Sequence, residues 1–390
     1  MGRFEDVRRR LDDDLPRLAA AYEVPGVSVA VLVDGQVMEG TTGVVNLRTG
    51  VEVTSDSLFM IQSITKVWTA TLVMQLVDDG LIELDVPVRT YLPRFRTADA
   101  RASADITVRH LLAHTGGFEG DIWAATTAGE DALQRFVEDL VSRAPQHARP
   151  GEMYSYCSAG YGVLGRLVEV LRQAPYATAL RRYLAGPLGV GELAFCADEA
   201  LAFRTAIGHV RSGPDAAQRP TKVWAVMPAS NPAAGNQLAM SARALIAFAR
   251  MHLADGLAPD GTRLLSSASA RAMRERQVDH PAAPGACADR GRAVRRQSSR
   301  SAAERPGWHR AGTEAAVARR RGAGAGAGTV RRPLSDPPDP QRGHARPGRP
   351  ALAHRVRTQR GAGHGRSRGD TCRTGSIRVA SGRWRCLRAD

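Results

Sequence analysis

Leu58-Phe59-Met60-Ile61-Gln62-Ser63-Ile64-Thr65-Lys66-Val67-Trp68-Thr69-Ala70 holds the one spacing in this chain that couples a nucleophile to a base. Leu58 to Ile61 is a short apolar run with the character of a strand or extended entry. Residues 63–79 then show helical apolar spacing, with Val67, Ala70, Leu72, Val73, Leu76 and Val77 supplying the apolar positions and Gly80 as a natural stop. Ser63-x-x-Lys66 stands at the junction, so one helical turn places both side chains on the same face. A serine hydroxyl is a weak nucleophile without a neighbouring base, and a lysine one turn on is within reach. The helix start also aims backbone N–H groups and the positive end of the helix dipole at the reacting oxygen. With 21 Ser and 2 Lys in 390 residues, about 0.1 such pairs would arise by chance. The plain alternative is a serine cap beside an exposed helix lysine.

Outward from this segment, residues 1–280 read as a mixed α/β protein. Residues 4–22 have helical spacing and end at Pro25-Gly26. The run 27–33 is β-branched and apolar, Asp34-Gly35 is a turn pair, and 36–45 continues as a second strand, which is a strong hairpin signal. Beyond the central helix, helices are expected over 107–113, 130–142, 160–173, 176–185, 241–254 and 266–276, with 205–210 as a possible strand. Two strands rarely make a stable sheet alone, so further strands are expected late in the chain.

The late sequence does not provide them. Residues 1–280 carry 29 Lys+Arg against 32 Asp+Glu, net −3, while 281–390 carry 25 Arg and no Lys against 7 Asp+Glu, net +18. The overall +15 is therefore no property of the first 280 residues. In 281–390, Arg, Ala, Gly and Pro fill 70 of 110 positions, and Trp308 and Trp384 are the only aromatics. Such a segment buries too little apolar surface to offset chain entropy. Two accounts compete: a basic tail able to bind nucleic acid, and a GC-rich gene read out of frame beyond about residue 280. Scarce Lys and Asn in 1–280, only Lys66, Lys222, Asn46, Asn231 and Asn236, favour the second.

The motifs around Ser63 are ordered as in a known family. The Ser63 segment, Asp79-Gly80-Leu81-Ile82-Glu83-Leu84-Asp85-Val86-Pro87-Val88 with Tyr91-Leu92-Pro93, Ile106-Thr107-Val108-Arg109-His110-Leu111-Leu112-Ala113-His114-Thr115-Gly116-Gly117, and Pro150-Gly151-Glu152-Met153-Tyr154-Ser155-Tyr156-Cys157-Ser158 together resemble the serine β-lactamase and penicillin-recognising family, in its class C and esterase-like branch. The resemblance covers roughly residues 20–275. It implies an α/β (α+β) fold, an antiparallel sheet flanked by helices plus a helix-rich subdomain, of β-lactamase/transpeptidase type, here with the C-terminal strands missing. It assigns catalysis to Ser63, Lys66 and Tyr156, with Tyr154 the less favoured tyrosine, and makes the Ser63 backbone N–H an oxyanion donor. Ser158 stands where the family usually has asparagine, a substrate-binding position with fewer hydrogen bonds to offer. His114 marks a structural loop in that resemblance rather than the proton relay. The family's late Lys-Thr-Gly or His-x-Gly strand has no in-register counterpart; Arg373-Thr374-Gly375 and His309-Arg310-Ala311-Gly312 have the letters without a strand around them.

The resulting expectation is a serine hydrolase domain over 1–280, incomplete, followed by a low-complexity segment over 281–390. It would form an acyl-enzyme on Ser63 and hydrolyse a small-molecule ester, β-lactam or D-amino-acid amide. The alternatives are a catalytically impaired homologue and, in another class, nucleic-acid binding through the Arg-rich segment. No cofactor is implied. Cys157, Cys196, Cys287, Cys372 and Cys386 show no CxxC spacing, so neither a metal site nor a disulfide framework is expected. No apolar run approaches a membrane span, and the first residues lack an apolar signal core, from which a cytoplasmic location is expected.

Overall fold

The computed structural model describes residues 2–213, 216–222 and 227–279, together with strand backbone at 378–379 and 382–383. The chain divides into two units, 1–301 and 302–390. In the first, a helical run over 3–21 comprises α1 (Arg3–Arg9), a wide π-type turn (Arg10–Asp14) and α2 (Leu15–Ala21). It lies across the hairpin of β1 (Gly26–Val33) and β2 (Gln36–Asn46), where Leu11 packs with Val33 and Met38. The hairpin pairs Val33 with Gln36 and Gly26 with Gly43. Asp34 and Gly35 both adopt positive φ, 47° and 83°, which matches the twist of the flanking strands. β3 (Val51–Glu52) adds to β2, giving the order β1-β2-β3, so β1 and β3 are edge strands among the described residues.

A second small sheet positions the Ser63 segment; its first strand falls in the 58–61 run that reads as a strand or extended entry, and its other two were not expected from the sequence. β4 (Phe59–Met60), β5 (Leu193–Ala194) and a later strand (Ala239–Met240) assemble in the order β4, later strand, β5. Their two-residue lengths carry no alternation to read. β4 leads through a short 3₁₀ turn to α3 (Thr65–Asp78), which lies in the core of the first unit. The sequence suggests an amphipathic helix, but α3 is buried on nearly every side: Trp68, Leu72, Val73 and Leu76 are fully enclosed, and Thr65, Thr69 and Thr71 are buried with them. A helix apolar all round belongs to a core. Val67, 47% exposed, and Asp78 at the last turn are the exceptions.

The helices around α3 follow their sequence signals closely. α4 (Ala100–Asp105), capped by Asp99, was not expected. α5 (Val108–Leu112) starts at Thr107, whose hydroxyl accepts from the His110 N–H, as a cap should. α6 (Ala132–Arg135) continues through a π-type turn to Leu140. α7 (Ser158–Arg172) packs on α3 and α6; a Cβ at Gly165 would sit 2.4 Å from Ala233 Cβ, and one at Gly162 2.6 Å from the Phe136 ring. α8 (Tyr176–Leu180) and α9 (Ala197–Ala200) follow, with the short strands β6 (His209–Val210) and β7 (Arg219–Pro220); β8 is the Ala239–Met240 strand. Ser241 and Ser266 cap α10 (Ala242–Leu253) and α11 (Ser267–Ala272). Phe248 of α10 stacks on Trp68, with ring centroids 4.0 Å apart. In the second unit β9 (Arg378–Val379) pairs antiparallel with β10 (Gly382–Arg383). The expectation of missing closing strands falls on residues that lie otherwise outside the described ones.

Candidate active site

Ser63 sits on a strained elbow. Gln62 has φ 50°, a conformation L-residues avoid, and passes the chain from β4 into a short 3₁₀ turn (Gln62–Ile64) and α3. A glycine holds this geometry: Gly235 has φ 102°, and a Cβ there would lie 1.9 Å from the Gln62 carbonyl oxygen. Ile61 is tied to the same side by its N–H bond to the Leu238 carbonyl, 3.0 Å. Ser63 is left exposed in this 3₁₀ turn, whose Ile64 N–H bonds the Ile61 carbonyl at 3.1 Å and whose Thr65 N–H bonds that of Gln62.

Lys66 is the opposite case, only 5% exposed. Its Nζ donates to Ser63 Oγ at 3.1 Å and to the Ala234 carbonyl at 2.9 Å. One N–H on Ala234 fixes the amine, and its remaining capacity faces the serine. Tyr156, 45% exposed, meets this pair with its ring, the Nζ lying 4.7 Å from the centroid; Tyr161 is 5.9 Å away on the same reckoning. Burial raises the Tyr161 phenol, whose hydroxyl donates to the Leu112 carbonyl. Ser63, Lys66, Tyr156, Tyr161 and His114 border one cavity of about 370 Å³, whose inner wall is apolar: Val67, Ala70, Met74, Leu84 and Met273. Arg109 is at its edge, held bidentately by Asp85 at 2.6 and 2.8 Å; the pairing raises the guanidinium and lowers the carboxyl.

A family model described as Beta-lactamase matches residues 11–330. The chain belongs to that family. Penicillin-binding protein 4 of Amycolatopsis lactamdurans is 46% identical over 259 residues, 66% of this chain and 67% of that protein. Esterase EstB of Burkholderia gladioli is 30% identical over 206 residues, 49% of this chain and 52% of the esterase. Among solved structures, D-amino acid amidase from Ochrobactrum anthropi SV3 superposes with a TM-score of 0.56 at 25% identity, covering 68% of this chain and 73% of the amidase. The fold is thus of β-lactamase/transpeptidase type, in a family of serine hydrolases with esterase, amidase and penicillin-binding relatives.

Within this Beta-lactamase family chain, the structure brings Ser63, Lys66 and Tyr156 together and leaves Ser158 to one side. Ser158 is the first residue of α7, its carbonyl accepts from Asn231 Nδ2 at 3.0 Å, and it does not border the cavity. Tyr154 contacts the His114 ring edge-on. Three contributors escaped sequence reading: the Gln62 backbone, the Ala234 carbonyl and Gly235. The signal available was Asn231-Pro232-Ala233-Ala234-Gly235-Asn236, a turn-forming run holding two of the three asparagines in 1–280. Cys157 is buried, and burial pushes its thiol up to about 11, in keeping with a small apolar filler. Among the described residues no group of three or more His, Cys, Asp or Glu is placed to hold a metal, and no helix is long and apolar enough to cross a membrane.

Proposed function

We propose that this chain carries out acyl transfer to water through Ser63. Ser63 Oγ bonds to the carbonyl carbon of a small ester, β-lactam or D-amino-acid amide. The C–O or C–N bond to the leaving group breaks, and the serine proton passes by Lys66 and Tyr156 to that group. Water then hydrolyses the acyl-enzyme. The Ser63 N–H is one oxyanion donor. The observation that carries this reading is the 3.1 Å contact between a buried Lys66 Nζ and an exposed Ser63 Oγ, with the Ala234 carbonyl orienting the amine. The names of the relatives, an esterase, an amidase and a penicillin-binding protein, fit this range of carbonyl substrates. A fluorescent penicillin or fluorophosphonate should label the full chain on Ser63; labelling that persists in Ser63→Ala overturns the assignment.

A second reading, a catalytically impaired homologue, is favoured by one observation: β1 is an edge strand among the described residues, next to a sequence whose composition changes at about 280. Hydrolysis of nitrocefin or a p-nitrophenyl ester at a Ser63-dependent rate refutes it. We propose further that 281–390 is read out of frame. Translating the other two frames beyond codon 280 should give alternating apolar strands and a closing helix, and the idea is dead if neither does.

A further inference from the structure

We propose that His114 is a positioning residue for Tyr156, gripping the backbone on both sides of that tyrosine and packing its ring against the phenol. The inference rests on the reading that Tyr156 acts with Ser63 and Lys66.

His114 follows α5 in a left-handed conformation, φ 58°, which for a residue with a side chain is unfavourable by about 1–2 kcal/mol. Two hydrogen bonds accompany that conformation. The Ser155 N–H donates to the His114 carbonyl at 2.8 Å, and the Cys157 N–H donates to His114 Nδ1 at 3.0 Å. Residue 156 lies between them, so its Cα is bracketed by one main-chain and one side-chain bond from the same histidine. The imidazole then stacks on Tyr156, centroids 4.6 Å apart and planes inclined by 32°, and is backed by Tyr161 at 5.0 Å. Tyr154 closes the third side at 5.8 Å. Tyr156 itself stands outside regular structure and half exposed, so without this clamp little would fix its ring over Lys66.

The chemistry of the imidazole suits holding rather than proton transfer. Nδ1 accepts a backbone N–H, so the ring proton sits on Nε2 and the ring is neutral. The titratable groups facing it are Lys66 from α3, Tyr154 and Tyr156 from the segment ahead of α7, and Tyr161 from α7. Burial first, and then the Lys66 cation, push the imidazole down to about 4. It therefore stays neutral, and its Nδ1 lone pair committed, at any pH where an ester is normally assayed.

The test uses the full chain with two variants. His114→Ala removes ring and acceptor. His114→Asn restores an acceptor near the Nδ1 position and tolerates the left-handed backbone. Amide hydrogen exchange reads the grip directly. The Cys157 amide should exchange about 10-fold faster in His114→Ala and recover in His114→Asn, while the Gly151 amide, held by the Thr115 carbonyl at 2.8 Å, should not change. Phosphonylation of Ser63 by a fluorophosphonate, with loss of fluoride, reads the consequence: His114→Ala should slow it about 10-fold or more, but by less than about 2-fold in a Tyr156→Phe background, because the two residues act as one unit. Equal losses in both backgrounds, or a Cys157 amide indifferent to His114→Ala, overturn the proposal. Absence of Ser63 labelling in the unaltered chain instead overturns the hydrolase reading, and the exchange comparison alone then decides whether the grip exists.

Discussion

The two sides of the site are built in opposite ways. Ser63 and Lys66 belong to one turn at the head of α3, three residues apart, with the lysine sealed inside the protein. Tyr156 comes from an irregular segment and is held by contacts reaching back to residue 114. The first side owes its geometry to helix periodicity and the second to tertiary packing. Damage to the first should therefore be severe and local, and damage to the second graded and rescuable. The largest effect separating them is Lys66→Met, which removes the amine proposed as the base but leaves helix and serine in place. Phosphonylation of Ser63 by a fluorophosphonate should slow about 10²–10⁴-fold. Tyr156→Phe should fall at the low end of that range or below it. Equal losses would mean that the two sides contribute alike.

Next in size is the elbow. Gly235→Ala forces a Cβ to within 1.9 Å of the Gln62 carbonyl at a backbone φ of 102°. Neither residue can move without shifting Ser63. Denaturant unfolding should show a loss of about 3 kcal/mol or more, with slower Ser63 labelling. Gly151→Ala, on the tyrosine side, also has positive φ, 83°, but its nearest neighbour is the His110 ring at 3.1 Å, a side chain that can give. Its loss should be smaller by at least about 1 kcal/mol.

The same contrast explains what could be read from the sequence. The hairpin and α3 are local: Asp34-Gly35 is a turn whatever surrounds it, and Ser63-x-x-Lys66 on a helix puts oxygen and nitrogen on one face. Capped helices such as α5 and α10 announce themselves through Thr107 and Ser241. Tyr156 was reached through its resemblance to a family segment, because a tyrosine in a Gly/Ser-rich loop has no periodicity to place it. β4 falls within the 58–61 run that reads as a strand or extended entry, but Ala234, Gly235 and the two strands that pair in its sheet, β5 and β8, leave no local signal. Their contribution is a carbonyl, a missing Cβ and a long-range pairing, such as Phe59 with Met240, 181 positions apart, and none of these leaves a pattern along the chain. Placing Ser158 by alignment to an asparagine likewise says nothing of where a shorter side chain at the start of α7 lies relative to the cavity.

Acid should weaken the tyrosine side before the serine side. An unfolded histidine takes a proton near 6.5, whereas folded His114 does so only at about 4. Between those values the unfolded state binds more protons, so stability falls as pH drops from about 6.5 to 4, by at most about 3 kcal/mol. Burial also lowers His252 and His110, which adds to the same trend. Asp85 and Asp255, held below the usual carboxylate range by their arginine partners, withdraw stability only at lower pH still. Urea unfolding at pH 7.0 and 5.0 measures the loss. His114→Asn should shrink the difference between them, and an unchanged difference would assign it to the other histidines.

The smallest expected effect tests whether the two sides are joined. Thr69, one turn beyond Lys66, donates its hydroxyl proton to the Ala233 carbonyl at 2.7 Å and accepts from the Tyr176 hydroxyl at 2.7 Å, so it anchors the 231–235 turn to α3. Asn231, at the head of that turn, bonds the Ser158 carbonyl, two residues after Tyr156. The turn thus touches the lysine side through Ala234 and the tyrosine side through Asn231. Thr69→Val keeps the volume and deletes the hydroxyl, leaving two buried polar groups without their partner, at about 1–3 kcal/mol. Because Lys66 keeps its own bond to Ala234, the acylation rate should stay within about 3-fold. A tenfold fall with unchanged stability would show instead that the turn transmits strain from α3 into the catalytic pair, and that the two sides are mechanically one.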